Sequence, residues 1–149
     1  MLKHLLLATA LLVGTAAAAQ AQSFTFTSAS TTSNVVSAQL GDTTLASMTL
    51  SGTVQTTVEG ARSATRGTFT CNTWTTPGED TDSRGICDAS EGTADKFSIA
   101  YRCSNMDAAT QLAYCWGVLV GEAGRYAGKT GTVTWQGTPT GATGQGAWR

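Results

Sequence analysis

Residues 123–130, AGRYAGKT, fit the relaxed form of the phosphate-binding loop, in which four residues separate a small residue from Gly-Lys-Thr. Such a loop binds nucleotide phosphates because its backbone N–H groups point at them and because a helix begins directly after the lysine. Here the chain continues from Gly131 as GTVTWQ, which alternates residues that favour strands. A strand in this place lacks the N-terminal helix dipole, so we predict that the protein binds no nucleotide.

The acidic segment of residues 79–95 has some of the spacing of a cation site. From Asp80 it reads DTDSRGICDASE, which fits the twelve-residue calcium loop at positions one, three, six, nine and twelve. The candidate ligands are the side chains of Asp80, Asp82, Asp88 and Glu91. Position five is Arg84, a positive charge where the ion requires an oxygen, and no helices flank the segment. We therefore expect a solvated acidic loop between two strands, with no metal bound.

The N-terminal residues 1–21 have the three regions of a secretory signal peptide. They combine a basic start, an apolar run over residues 5–13, and small residues at both cleavage-site positions, Ala19 and Ala21. The apolar run is shorter than the ~20 residues that span a bilayer. We expect cleavage after Ala21, no membrane span in the processed protein, and a single domain of residues 22–149 in the periplasm or secreted.

Cleavage there would also remove His4, the only histidine of the chain. Without a histidine, neither a Ser-His-Asp or Cys-His nucleophile nor a histidine-ligated zinc site can be built. The chain carries nine Lys and Arg against ten Asp and Glu, and the cations are scattered. A protein that binds nucleic acid needs a basic surface, so we expect no nucleic-acid partner and no cofactor.

Most of the remaining chain shows the period of two that is typical of half-buried β-strands. Between residues 46 and 58 the even positions are mostly apolar, whereas the odd positions are Ser, Thr and Gln. Further strands are predicted over residues 24–28, 67–74, 96–104, 112–120 and 130–136. We predict an all-β fold, a small closed antiparallel barrel of about eight strands of the calycin-like kind, with a β-sandwich as the alternative. The outward Ser, Thr and Gln residues disfavour an outer-membrane barrel, which requires an outward apolar band flanked by aromatic girdles.

Four cysteines in an exported domain are expected to form two disulfide bonds. In an up-and-down barrel Cys71 and Cys103 would lie at opposite ends of neighbouring strands, too far apart for a bridge. We therefore predict the pairs Cys71–Cys87 and Cys103–Cys115. Because Cys115 alternates with aromatic residues that we place inside the barrel, the second pair requires a bulge at this hairpin end.

A closed eight-stranded barrel has room either for a filled core or for one small ligand. The candidates for lining a ligand pocket are Phe97, Ile99, Tyr101, Leu112, Tyr114, Trp116 and Tyr126. Periodicity does not fix the radius of the barrel, so a hollow and a filled interior both remain open. We expect a non-catalytic protein whose partner is a small apolar molecule, with a structural or cell-surface protein with a filled core as an alternative.

The glycine-rich segment of residues 121–135, GEAGRYAGKTGTVTW, resembles a hairpin of eight-stranded barrels of the allene oxide cyclase and dirigent types. Exported bacterial proteins are similar in this region, and the likeness covers residues 97–135. It implies a small closed barrel with an apolar interior, in which we expect Tyr126 to pack across the barrel end. The resemblance also suggests an alternative function, an isomerase that uses Glu122 or Glu59 together with a tyrosine. No active-site motif of these enzymes matches a particular position in this chain.

Overall fold

The computed structural model describes residues 21–75, 83–104, 107 and 109–149. The predicted signal peptide lies outside these residues, apart from Ala21, and remains a prediction. In the described part of the chain there are eight strands and one turn of 3₁₀ helix (Gly124–Tyr126). The strands are β1 (Gln22–Leu40), β2 (Thr43–Val58), β3 (Thr65–Thr75), β4 (Ser83–Glu91), β5 (Asp95–Cys103), β6 (Ala113–Ala123), β7 (Thr130–Thr138) and β8 (Gly141–Trp148).

The strands form one closed barrel in chain order, and every neighbouring pair is antiparallel. The last strand completes the ring by pairing with the first, with Trp148 opposite Gln22 and Gly141 opposite Ala29. The predicted closed barrel is therefore confirmed, and the sandwich alternative is wrong because the sheet closes on itself. β7 begins at Thr130, so a strand follows Lys129 as predicted, and the helix of a phosphate-binding loop is not formed there.

One end of the barrel, which we call the closed end, holds the hydrophobic core. At this end β1 and β5 begin and β8 ends, and the 3₁₀ helix between β6 and β7 folds against it. The buried residues of the core are Phe24, Ala89, Phe97, Leu119, Tyr126, Val133 and Trp148. The rings of Tyr126 and Trp148 stack at 4.6 Å, and Phe97 meets Tyr126 edge to face at 5.1 Å. Tyr126 thus packs across the barrel end, as predicted.

At the opposite end, the β1–β2 hairpin extends past the barrel wall. The pairing of β1 with β8 stops at Ala29, and that of β2 with β3 stops at Ser47, whereas β1 and β2 remain paired to the tip. We call residues 34–45 the arm and this end of the barrel the arm end. The arm starts at a bulge where Asn34 has a φ of 50°, and it turns at Gly41, with a φ of 61°.

The expectation of an acidic loop over residues 79–95 is wrong for the part that the structure describes. Residues 83–91 form the strand β4, in which Gly85, Cys87, Ala89 and Glu91 are buried on the inner face. Small side chains at three of these four positions conceal the alternation of hydrophobic and polar residues that identifies a strand.

Candidate functional site

The interior of the barrel holds a cavity of about 460 Å³. Its lining runs from Phe24 and Phe97 near the closed end to Ser83, Thr138 and Pro139 at the arm end. Small-molecule sites in proteins range from ~300 to ~1,000 Å³. The barrel is therefore hollow, and the cavity is large enough for one small ligand. A depression of about 640 Å³ lies beside β8, but it is lined largely by outward residues such as Thr132 and Gln145.

The cavity exists because several inward aromatic rings lie along the wall instead of across the interior. Each such ring covers a glycine of the neighbouring strand, where a Cβ atom would overlap the ring. The four pairs are Phe24 with Gly146, Phe26 with Gly144, Phe69 with Gly52, and Tyr101 with Gly85. At Gly85 and Gly146 the ring is the nearest group, so a side chain there would push the ring towards the centre. At Gly52 and Gly144 a Cβ atom would also overlap the backbone carbonyl oxygens of Ala29 and Thr134. The glycines therefore leave room for the rings along the wall and keep the interior open.

The described residues that line the cavity are all uncharged. Their polar side-chain groups are the indole N–H of Trp135 and the hydroxyls of Ser28, Ser30, Thr32, Thr56, Thr73, Ser83, Tyr101 and Thr138. The closest pair is formed by the Thr73 Oγ1 and Tyr101 hydroxyl oxygens, which are 2.5 Å apart and hydrogen-bonded. Burial raises the pKa of Tyr101 above its ordinary value, although the hydrogen bond with Thr73 lowers it. The phenol is therefore neutral at physiological pH.

Three of the seven predicted pocket residues line this cavity: Phe97, Ile99 and Tyr101. Tyr126 lies in the core at the closed end, and Leu112 is partly buried just before β6; neither is part of the cavity lining.

The predicted inward orientation of Tyr114 and Trp116 is wrong. Their exposed fractions are 55% and 48%, whereas Cys115 and Leu119 point inward and are buried. β6 is apolar on both faces, so its hydrophobic pattern does not distinguish the inward from the outward face, and the larger aromatic residues are not a guide to the inward one.

The structure contains both predicted disulfide bonds, Cys71–Cys87 and Cys103–Cys115. Each joins residues directly opposite one another on neighbouring strands, and all four cysteines line the cavity. The bulge that we expected for the second pair is absent, because the inner face of β6 already carries Cys115. The register shift between β5 and β6 instead lies near Lys96, at the other end of the strands.

A buried carboxylate, Glu91, lies at the closed end and outside the cavity lining. It is 3% exposed and accepts a hydrogen bond of 2.6 Å from the Tyr126 hydroxyl. The Arg125 guanidinium forms an ion pair with it and also reaches Asp95, with Nε 3.3 Å from Oδ2. Glu91 is therefore held by a tyrosine and an arginine, and the cluster seals this end of the barrel.

The candidate calcium ligands do not converge in the part that the structure describes. Glu91 points into the barrel and Asp88 is exposed on its outer face, so the two carboxylates lie on opposite sides of β4. Asp80 and Asp82 lie outside the described residues. Among residues that are described, no group of three or more His, Cys, Asp or Glu could hold a metal ion.

The carboxylates named for the isomerase alternative lie away from the cavity. Glu122 is exposed on the outer face and accepts a hydrogen bond from the Ser98 hydroxyl. Glu59 is exposed directly after β2. Neither carboxylate is positioned to act on a molecule inside the barrel.

Several lining residues were not identified from the sequence, among them Phe26, Phe69, Thr73 and Trp135. Phe69 and Thr73 alternate with outward polar residues in step with Cys71, and this shared period of two was the signal that could have located them.

The chain matches no known family model, no curated protein and no solved structure. Within the described residues, none of the helical structure is long and apolar enough to cross a membrane.

Proposed function

We propose that the protein binds one small, uncharged and largely apolar molecule inside its barrel and does not convert it chemically. The observation that carries this proposal is a cavity of about 460 Å³ with an uncharged lining among the described residues. Burial of apolar ligand surface is favourable by ~25 cal/mol per Å². An ionised group without a partner costs several kcal/mol or more in such surroundings. The cavity therefore selects neutral ligands.

The polar groups of the lining suggest how the ligand is oriented. The deep part is bounded by Phe97, Leu119 and Val133, whereas the hydrogen-bonded Thr73 and Tyr101 hydroxyls lie nearer the arm end. A ligand with one hydroxyl or carbonyl group would place it beside these hydroxyls, because a buried polar atom is costly without a partner. The apolar part of the ligand would then point to the closed end.

The two disulfide bonds support a location outside the cytoplasm, since such bonds persist in oxidising compartments. We propose that residues 1–21 direct export and that the barrel acts in the periplasm or after secretion. We also propose that it is of the same structural type as the allene oxide cyclase and dirigent barrels. The positions of Glu59, Glu91 and Glu122 support the proposal that the bound molecule is not converted, because none of these carboxylates lines the cavity.

The proposal is tested with the uncharged fluorescent dye N-phenyl-1-naphthylamine. We expect its fluorescence to rise on binding to the protein and to fall when 1-decanol displaces it. Decanoate and decylammonium should displace the dye at least tenfold less effectively at pH 7, because each carries a charge. Equal displacement by the charged compounds would refute selection by an uncharged cavity.

A matched pair of variants locates the bound dye. Ala142 points into the cavity opposite Ser28 and Gly137, so Ala142→Phe should fill part of the interior and weaken dye binding at least tenfold. Thr143→Phe adds the same ring to the outer face of β8 and should leave binding unchanged. If Ala142→Phe folds and binds the dye as the wild type does, the ligand is not inside the barrel and the proposal is wrong.

A further inference from the structure

The outer face of β6 is apolar over four consecutive outward positions. Tyr114, Trp116, Val118 and Val120 are each about half exposed, with fractions of 55%, 48%, 52% and 50%. The inner face of the same strand carries the buried Cys115 and Leu119. Strands that are apolar on both faces are typical of sheets that are covered on both sides. The sequence of β6 is therefore that of a strand whose outer face is also buried.

Neighbouring strands extend this apolar surface. Val118 lies opposite Ala100, and Ala100 lies opposite Ile86, whose side chain is 53% exposed. We call the following residues the outer patch: Ile86, Ala100, Tyr114, Trp116, Val118 and Val120. The outward positions of β2 in the barrel wall, from Ser47 to Thr57, are by contrast Ser, Thr and Gln. Contiguous exposed apolar surface of this kind marks an interaction site.

Charged residues of opposite sign lie on the two sides of the central row Ile86–Ala100–Val118. On the arm-end side, Arg84 lies opposite Arg102, and Arg102 lies opposite Trp116. On the closed-end side, Asp88 lies opposite Ser98, and Ser98 lies opposite Val120. The patch is thus basic on one side of its centre and acidic on the other.

We propose that the outer patch is covered by the outer patch of a second copy of this chain, so that the two barrels meet face to face. The twofold axis that relates the two copies runs perpendicular to the strands, along the central row. This axis reverses the order of the rows, so that Val118 meets Val118 of the partner subunit. Arg84 then meets Asp88 of the partner subunit, and Trp116 meets Val120 of the partner subunit. The contact is isologous and closes as a dimer.

The arrangement of charges selects this axis over the other twofold arrangement of two sheet faces. A twofold axis along β5 would place Arg102 against Arg102 of the partner subunit, and like charges in contact are unfavourable. Trp, Tyr and Arg are also the residues that contribute most at protein interfaces. A lipid surface is a poorer occupant, because the acidic Asp88 lies within the same face.

The first test is the oligomeric state of the protein without residues 1–21, measured by sedimentation equilibrium. We expect a dimer in the wild type and a monomer in Val118→Arg, because the axis brings two arginines together at the centre. Thr53→Arg adds the same charge to the outer face of β2, away from the patch, and should remain dimeric. A monomeric or trimeric wild type, or a dimeric Val118→Arg variant, would overturn the proposal.

The second test addresses the axis. Arg84→Asp and Asp88→Arg should each weaken dimerisation at least tenfold, and the double variant should recover most of the loss because the pair is exchanged. Val118→Cys should form an intermolecular disulfide bond on mild oxidation, whereas Thr53→Cys should not. Failure of the double variant to recover, or of Val118→Cys to cross-link, would rule out this axis. Binding of phospholipid vesicles by a monomer would show that lipid is the occupant instead.

Discussion

At the closed end of the barrel, the buried Glu91 carboxylate is bound by the Tyr126 hydroxyl and the Arg125 guanidinium. A carboxylate in this position is costly unless its oxygens have partners, and removing one partner leaves the charge uncompensated. Asp95 supports the arrangement by accepting a hydrogen bond of 2.8 Å from the backbone N–H of Arg125. The cluster therefore stabilises the barrel end only when all its members are present.

We predict that Tyr126→Phe lowers the free energy of unfolding at pH 7 by about 1–3 kcal/mol, since Glu91 loses a hydrogen-bond donor. The substitution keeps the ring that packs on Phe97 and Trp148, so the loss reports the hydroxyl group alone. Urea denaturation measures the difference. Equal stability of the two proteins would show that the hydrogen bond contributes nothing.

The same residue predicts how stability depends on pH. Burial, together with the hydrogen bond to Glu91, raises the pKa of Tyr126 above its ordinary value of ~10. The protonated phenol is thus favoured by folding; its contribution is complete below pH ~10 and is lost as pH rises towards the higher pKa of the folded state. Between pH 9 and 11 the unfolding free energy should fall more steeply in the wild type than in Tyr126→Phe. Parallel curves would contradict this assignment.

Among the strands, the sequence predicted best those whose outward face is Ser and Thr and whose inward face is large. β2 meets this condition: the period of two predicted residues 46–58, and the strand is Thr43–Val58. β5 was predicted over residues 96–104 and is Asp95–Cys103, because its large inward Phe97, Ile99 and Tyr101 give a clear period even though Ser98 is the one Ser or Thr on its outward face. β4 and β8 were missed because their inward positions are mostly glycine, alanine and cysteine, which give no hydrophobic period. For β6 the strand was predicted, but its orientation was not, because both of its faces are apolar.

The hollow interior could not be derived from one strand at a time. It depends on pairs of residues on neighbouring strands, such as Phe24 over Gly146 and Phe69 over Gly52. Which aromatic ring meets which glycine is decided by the register, and the register is not encoded locally. The alternating Gly144 and Gly146 of β8 were nevertheless a visible sign that something large occupies the space beside them.

We predict that loss of either disulfide bond destabilises the barrel by about 3 kcal/mol, since the bonds close loops of 16 and 12 residues. The variants are Cys71→Ala with Cys87→Ala, and Cys103→Ala with Cys115→Ala. Urea denaturation of each double variant, with the oxidised wild type as reference, gives the difference. A loss below about 1 kcal/mol would mean that the strand pairing alone holds these positions.

The arm should contribute little to the stability of the barrel. It is a two-stranded ribbon, and such ribbons are marginally stable by themselves; Val35, Val36 and Leu40 on it are 60–67% exposed. Replacing residues 38–45 with Asn-Gly joins Ser37 to Ala46 through a two-residue turn and keeps the hydrogen bond of 2.8 Å from the Ala46 N–H to Thr75 Oγ1. We expect the free energy of unfolding to change by less than about 1 kcal/mol. A larger loss would show that the arm packs against another part of the protein.

For the whole molecule, the two ends of the barrel differ in a way that bears on how the proposed ligand would enter. The closed end is filled by the aromatic core and by the Glu91 cluster. At the arm end the cavity is bounded by small and polar residues, including Ser83, Thr138 and Gly141. The ion pair of Glu91 with Arg125 lies at the closed end, so the proposed ligand would exchange through the arm end without this stable end of the barrel having to open.

The closure of the barrel by its first and last strands also determines how quickly the protein can fold. The Thr143 hydroxyl reaches the Phe26 carbonyl across 117 residues of sequence, so this contact forms only after nearly the whole chain is available. Barrels dominated by such distant contacts fold on the order of milliseconds to seconds, far more slowly than helical proteins. Until β8 is in place, β1 and β7 present unpaired edges and the apolar inner wall is open to water. A chain that lacks β8 is therefore the form most prone to aggregation. Insertion of β8 pairs both edges and buries the inner wall, which removes the surfaces that aggregate.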